Sequence, residues 1–312
     1  MNYKFAYKYW CPPLWLKGLI KKAGNLYRSA VNHYPLSDQA NSLSCQPVFI
    51  ISAGRSGTTL LRSMLVAGGS VAIPPEIQVI HNLPVKFYTL QGLNWEGLTK
   101  ALIAEFESHP QFGLWNTNMV PAYQKVINLP KNERSLARLI DEVFITYSMQ
   151  QFPKAYIWGD QSPIHTMYLP YIEKIFPDAK YIHLLRDGRD VIASFVEKFG
   201  PVYLDEAIYR WRISIKNAQK LGMKIRADQF LEIRYENLVK EPESTLGSIC
   251  KFIDIPYSSN MLDYWKLDTT IEGKRFYAHR NLNKPVFTSS IGSWQKRLSD
   301  EQKKICNYSG RK

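Results

Sequence analysis

Along the chain, short continuous apolar runs alternate with segments whose apolar residues recur every three or four positions. "PVFIISA" (47–53) is β-branched and lacks polar alternation, the pattern of a strand buried on both faces. "TTLLRSMLVA" (58–67) follows with helical spacing, so a strand, a glycine-containing turn and a helix succeed one another. Further strands are expected at "AYIWGD" (155–160), "AKYIHLL" (179–185) and "FLEIRY" (230–235). Helices are expected at 94–108, 133–151, 188–199, 204–222 and 242–253, with another at 165–176 interrupted by Pro170. The aromatic, proline-broken stretch between the 94–108 and 133–151 helices reads as an inserted lid or acceptor-side segment. Strands alternating with helices predict an α/β fold: a P-loop-like three-layer sandwich with a mainly parallel sheet covered by helices on both faces.

Before Pro47 the pattern changes. "HYPLSDQANSLSCQ" has no hydrophobic period and reads as a polar linker, preceded by a segment that mixes lysines with Tyr, Phe and Trp. Residues 1–46 are therefore expected to be a basic, aromatic arm and linker, and residues 47–312 the folded domain. At 312 residues and 45% hydrophobic content, one large core is affordable.

The formal charge of +13 is concentrated at the ends: residues 1–37 carry six Lys/Arg and no acid, and residues 261–312 carry eleven against five. No zinc finger, RNA-binding motif or basic zipper accompanies it, so the charge points to an anionic small ligand and not to nucleic acid. The arm fits an anionic membrane surface through residues 1–35, or packing on the domain itself. Neither an apolar run of membrane-spanning length nor a cleavable leader is read, so the expected location is cytoplasmic, at a membrane surface if the arm binds one. Four cysteines far apart, without ligand spacing, imply neither a disulfide framework nor a zinc site.

Two motifs carry the chemistry. In "SAGRSGTT", Gly54 and Gly57 permit a tight turn at the end of the first strand, where the N–H groups of the following helix face an anion. Arg55 adds a forked cation and Ser56, Thr58 and Thr59 add hydroxyls. A nucleoside triphosphatase needs Gly-Lys-Ser/Thr to hold phosphates and magnesium, and that lysine is absent. In "YIHLLRDGRDVIASF", Arg186 ends a strand and Ser194 lies in the next helix, so the pair can hold one phosphate at the sheet's ligand-binding edge. The competing reading of "RDGRD" is a surface turn of neutralised charges.

Together these segments resemble the PAPS-dependent sulfotransferases, nearest to the tyrosylprotein sulfotransferase branch and its bacterial relatives. "DQSP" (160–163), "RYENLVKEPESTLGSICKFIDIP" (234–256) and "KPVFTSSIGSW" (284–294) agree in order and spacing. The resemblance implies that Arg55, Ser56, Gly57, Thr58 and Thr59 hold the 5′-phosphosulfate of 3′-phosphoadenosine 5′-phosphosulfate (PAPS), and that Arg186 and Ser194 hold its 3′-phosphate. It places Tyr235 against the nucleotide, Lys284 near a phosphate, and Ser290 as a looser candidate. Its catalytic glutamate, twenty-one residues after the loop arginine, falls on Glu76 in "IPPEIQVI". Where the family has a catalytic lysine this chain has Gln161. The implied reaction is metal-free sulfonate transfer to a hydroxyl on a glycan, a lipid-linked sugar, a small molecule or a tyrosine. The alternative is a non-catalytic module that binds an adenosine phosphate or an acidic glycan.

Overall fold

The computed structural model describes residues 34–266 and 282–309. Within them, five strands form one parallel sheet in the order β2-β3-β1-β4-β5. They are β1 (Val48–Ile51), β2 (Val71–Ala72), β3 (Ile157–Asp160), β4 (Lys180–Leu185) and β5 (Phe230–Arg234). The helices in chain order are α1 (Thr58–Ala67), α2 (Leu83–Leu90), α3 (Trp95–Glu107), α4 (Val120–Ile127), α5 (Leu136–Gln151) and α6 (Leu169–Ile175). They continue with α7 (Gly188–Phe199), α8 (Leu204–Lys224), α9 (Tyr235–Lys240), α10 (Pro242–Ile253), α11 (Trp294–Arg297) and α12 (Asp300–Ser309).

Alternation along β1 makes the three layers. Phe49 and Ile51 enter a core with Leu102, Phe144, Trp158 and Tyr181, built by helices that include α3, α5 and α8. Val48 and Ile50 enter the opposite core with Leu61, Ile182, Leu238 and Ile249, under α1, α9 and α10. All four β1 side chains are buried, which is why that strand reads as an unbroken apolar run.

Several expectations change in detail. Pro170 does not interrupt a helix; it stands in the first turn of α6, where no N–H is required, after a 3₁₀ stretch at Pro163–Tyr168. Tyr235 does not end a strand but opens α9. The stretch between α3 and α5, expected as a lid or acceptor-side segment, contains α4 and contributes Trp115, Met119, Ala122 and Val126 to the larger core, so it is packed into the frame and is not a separate lid. Residues 34–46 lack regular structure and are tied to α5: Ala137 N donates to Leu36 O (2.8 Å), and Ser44 donates to Asp141 through both N (3.0 Å) and Oγ (2.6 Å). The basic arm over residues 1–33 and the stretches 267–281 and 310–312 lie outside the described residues. No helix of the described residues is long and apolar enough to cross a membrane.

The topology fixes where a ligand can sit. From β1 the chain builds β2 and β3 on one side and β4 and β5 on the other, and β1 and β4 are neighbours in register, Ile51 beside His183. The turns that leave these two strands therefore open at one carboxyl edge, at the point where strand order reverses.

Candidate active site

The turn after β1 is held in an uncommon backbone conformation. Arg55 has φ 75° and Gly57 φ 98°, and Arg55, with a side chain, adopts the left-handed region only where surrounding contacts enforce it. Gly57 is required for a second reason, since a Cβ there would lie 2.6 Å from two ring carbons of Tyr235. Gly57 is also the N-cap of α1 and supplies no side-chain acceptor, so the first N–H groups of the helix face the turn. Ser56 and Thr58 are buried around it, and Thr59 is half-buried.

The turn after β4 supplies Arg186, only 7% exposed, which ties three segments together. Its Nη1 donates to Arg55 O (3.1 Å), its Nη2 donates to Ser290 O (3.0 Å), and its guanidinium lies 4.2 Å from the centroid of the Tyr235 ring. The Tyr235 hydroxyl is 2.8 Å from Ser290 Oγ. Arg55 Nε donates to Ser194 Oγ (3.1 Å), one and a half turns into α7. Arg55, Gly57, Arg186, Ser194, Tyr235 and Ser290, scattered over the sequence, thus form one contiguous cluster. Lys284 does not join it through any described contact: its side chain is exposed, and its carbonyl accepts from Tyr264 Oη (2.8 Å).

"RDGRD" is not a neutralised surface turn. Asp187 caps α7 by accepting from Arg189 N (2.8 Å), and Arg189 pairs with it locally while lying 4.2 Å from the Trp294 ring. Asp190, 1% exposed, accepts from Gly292 N (2.8 Å), Ser293 Oγ (3.0 Å) and Trp294 N (2.9 Å), and so straps the segment carrying Ser290 onto α7. The sequence reading missed Asp190 because its partners are mainly backbone N–H groups. It also missed Arg297, whose charge reaches Arg55 and Arg186.

Three guanidiniums thus share this corner. Burial pushes Arg55 below its ordinary pKa, Arg186 and Arg297 add to the fall, and Glu76 opposes it. Cations gathered at one partly buried corner repel one another until an anion enters, which makes the cluster an anion site by its charge as well as by its turn.

Glu76 stands across from this cluster on a braced segment. Arg62 Nε donates to Ile73 O (2.7 Å), Trp115 Nε1 to Pro75 O (2.9 Å), and Ser162 Oγ to Ile77 O (3.0 Å). Glu76 is half-buried, Gln78 Nε2 donates weakly to its Oε1 (3.4 Å), and its charge acts on Arg55. It is therefore not a freely solvated loop carboxylate. Gln161 follows β3 and is 1% exposed, with neither its Oε1 nor its Nε2 hydrogen-bonded. Ser162, the next residue, joins the turn to the Glu76 segment, and Pro163 packs beside Gly54, so Gln161 belongs to the stretch that links that segment to the loop after β1. A buried amide without partners is costly unless a ligand completes it. These features fit a polyanionic ligand; no group of three His, Cys, Asp or Glu suited to a metal occurs among the described residues.

Comparison with known proteins identifies the family. A model described as "Sulfotransferase family" matches residues 47–259. A putative protein-tyrosine sulfotransferase of Caenorhabditis briggsae is 24% identical over 257 residues, covering 80% of each chain. Protein-tyrosine sulfotransferase A of Caenorhabditis elegans is 25% identical over 237 residues, which span 74% of this chain and 56% of that protein. Among solved structures, the sulfotransferase domain of the Synechococcus PCC 7002 olefin synthase is similar at TM-score 0.60 and 25% identity, over 89% of this chain and 98% of that one. Because the family match spans well over half of its length, from the start of β1 to beyond α10, the chain belongs to the sulfotransferase family and is an enzyme of that class.

Proposed function

We propose that the enzyme moves the sulfonate of PAPS to an acceptor hydroxyl, with Glu76 as general base. The observation that carries this reading is the junction at Arg186, where the phosphate turn, the Tyr235 ring and the Ser290 segment meet. Arg186, Ser194 and the Tyr235–Ser290 pair suit a nucleotide phosphate, and the Arg55–Thr59 turn suits the phosphosulfate. In the transfer, the acceptor oxygen forms a bond to sulfur as the bridging S–O bond to the donor's phosphate breaks. The acceptor's proton goes to Glu76, and the electron pair of the broken bond stays on the departing phosphate. The turn's N–H groups and Arg55 meet the charge that develops there.

The acceptor is a hydroxyl, and the relatives, protein-tyrosine sulfotransferases by name, favour a protein tyrosine over a glycan or lipid-linked sugar. The arm, with six cations, eight aromatics and no carboxylate in residues 1–35, supports peripheral attachment to an anionic membrane. Calorimetric titration with PAP, followed by labelled-PAPS turnover against a panel of tyrosine peptide, phenol and hexose, tests the reading. Tight PAP binding without turnover on any acceptor would favour a binding module instead.

A further inference from the structure

The stretch from the end of β3 into the following 3₁₀ turn, residues 160–166, bridges the phosphate turn and the Glu76 segment. One end is fixed to the phosphate side: Ser52, the first residue after β1, donates through N to Thr166 Oγ1 (2.9 Å), and that hydroxyl donates back to Ser52 O (2.9 Å). The other reaches the base side, where Ser162 Oγ is 3.0 Å from Ile77 O, one residue beyond Glu76. Ser52, Ser162 and Thr166 are all buried.

Between these ends sits a buried carboxylate–imidazole pair with no part in the transfer described above. Asp160 Oδ2 accepts from Ser162 N (2.8 Å) and lies 2.7 Å from His165 Nδ1. A carboxylate can only accept, so Nδ1 carries the imidazole proton. His165 Nε2 and His81 Nδ1 are buried without a hydrogen bond, and the two rings lie 5.6 Å apart, with His81 stacked 4.6 Å from Tyr168. His165 therefore packs against the turn that follows the Glu76 segment while its proton is committed to Asp160.

The pair decides where Ser162 sends a single proton. Its hydroxyl is 3.0 Å from Ile77 O and 3.1 Å from Asp160 Oδ1, and it has one hydrogen to give. With Ser162 N and His165 Nδ1 both donating to the carboxylate, the hydroxyl is left for Ile77 O. Without the imidazole the buried carboxylate lacks a donor, and a charged acceptor outcompetes a carbonyl. Ile77 O then loses its donor, and the Glu76 segment loses a brace.

We propose that the Asp160–His165 pair positions the base: His165, acting through Asp160 and Ser162, sets where Glu76 stands relative to the phosphate turn. This rests on the reading of Glu76 as general base. His165 is a positioning residue and touches no substrate, yet its loss is felt at the chemistry, because displacing a reacting group by about 1 Å can cost about 10² in rate.

The test compares wild type, His165→Ala, His165→Asn, Ser162→Ala, Glu76→Gln and the double variant His165→Ala/Glu76→Gln. It reads labelled-PAPS turnover on whichever of tyrosine peptide, phenol and hexose wild type uses fastest, PAP affinity by calorimetry, and thermal midpoint. His165→Ala should lose about 10–10² in kcat, with PAP affinity within about twofold of wild type. His165→Asn, whose amide N–H can stand where Nδ1–H stood, should recover most of that loss. Ser162→Ala should be slow too, since it removes the link itself. In the Glu76→Gln background His165→Ala should change kcat by no more than about twofold, because no base remains to be misplaced. The same fold loss in both backgrounds, a matched fall in PAP affinity, or His165→Asn no faster than His165→Ala overturns the inference and leaves the base reading standing. If His165→Ala does not fold, Ser162→Ala carries the test, and wild-type turnover by that variant overturns the inference. Glu76→Gln as fast as wild type, or wild type that consumes no PAPS with any acceptor, overturns the reading beneath it, and the inference with it.

Discussion

Arg55 Nε donates to Ser194 Oγ at 3.1 Å across 139 positions of sequence, joining the turn after β1 to the helix after β4. Ser194 holds the arginine that the phosphate turn presents and faces the ligand edge itself. Ser194→Ala removes one hydrogen bond to a charged group, worth about 1.5–3 kcal/mol, and leaves no large buried cavity because Ser194 is half-exposed. PAP affinity should fall by about tenfold or more, and the thermal midpoint should drop modestly because the free protein also loses the bond, read by calorimetry and by thermal melting.

Two glycine substitutions should behave oppositely. Gly57→Ala places a methyl 2.6 Å from the Tyr235 ring at φ 98°, so both the turn and the ring must move, at a cost of about 1–3 kcal/mol for the backbone alone. Gly247 lies inside α10 with open space around its Cβ position, and Gly247→Ala should stabilise by about 0.5–1 kcal/mol. Thermal midpoints and PAP titration of the two variants check this. A Gly57→Ala protein with wild-type PAP affinity would show that the Tyr235 ring does not form part of the nucleotide site.

Asp190→Asn should damage the site from a distance. The carboxylate accepts from two backbone N–H groups and one hydroxyl, and an amide keeps one acceptor oxygen while turning a donor toward donors. The loss is about 1–3 kcal/mol of stability, and the segment carrying Ser290 is released from α7. A lower melting temperature should therefore come with weaker PAP binding. Weaker folding with intact PAP affinity would mean that Ser290 needs no strap.

What the sequence made legible was contiguous. The β1 run, the turn and α1 occupy neighbouring positions, so the chemistry of the phosphate turn could be read in one stretch, and the eight-residue interval from Arg186 to Ser194 lies within another. The strap could not be read, because its donors at residues 292 and 294 are backbone groups that any residue supplies, and only the fold brings them to Asp190. Pro170 misled because the same residue breaks a helix interior and begins a helix well, and tertiary packing chooses between the two. The stretch around Trp115 read as an inserted lid or acceptor-side segment since its apolar residues have no sustained period; Trp115 is nonetheless buried and tied to Pro75, next to Glu76. Lys284 was placed by the resemblance alone, and in the structure its exposed side chain gives no geometric support for that role.

The arm should carry the membrane contact. Each Lys or Arg near an anionic surface contributes about 1 kcal/mol, so the triple substitution Lys17→Gln, Lys21→Gln, Lys22→Gln in the full chain should weaken binding to phosphatidylserine vesicles by about a hundredfold. Equal co-sedimentation of this variant and wild type would remove the arm as the anchor. Loss of binding at high salt in wild type should accompany the effect, because the attraction is screened.

The two halves of the site should separate in kinetics. In the proposed mechanism Arg186 faces a phosphate whose charge does not change during the reaction, so it contributes equally to ground state and transition state. Arg186→Ala should weaken PAP by about 2–4 kcal/mol, the scale for truncating a buried charge-assisted contact, and it also frees the Tyr235 ring and the Ser290 carbonyl. In the proposed mechanism Glu76 touches only the acceptor's proton. Glu76→Gln preserves size and the hydrogen bond from Gln78 while removing the base, so PAP affinity should hold while turnover falls by about 10²–10⁴. The acceptor decides how large the fall is: a phenol, already acidic, needs its base less than a sugar hydroxyl does, so the Glu76→Gln deficit should be smaller for phenol than for hexose. Equal turnover of Glu76→Gln and wild type on a sugar hydroxyl at neutral pH would show that another group accepts the proton.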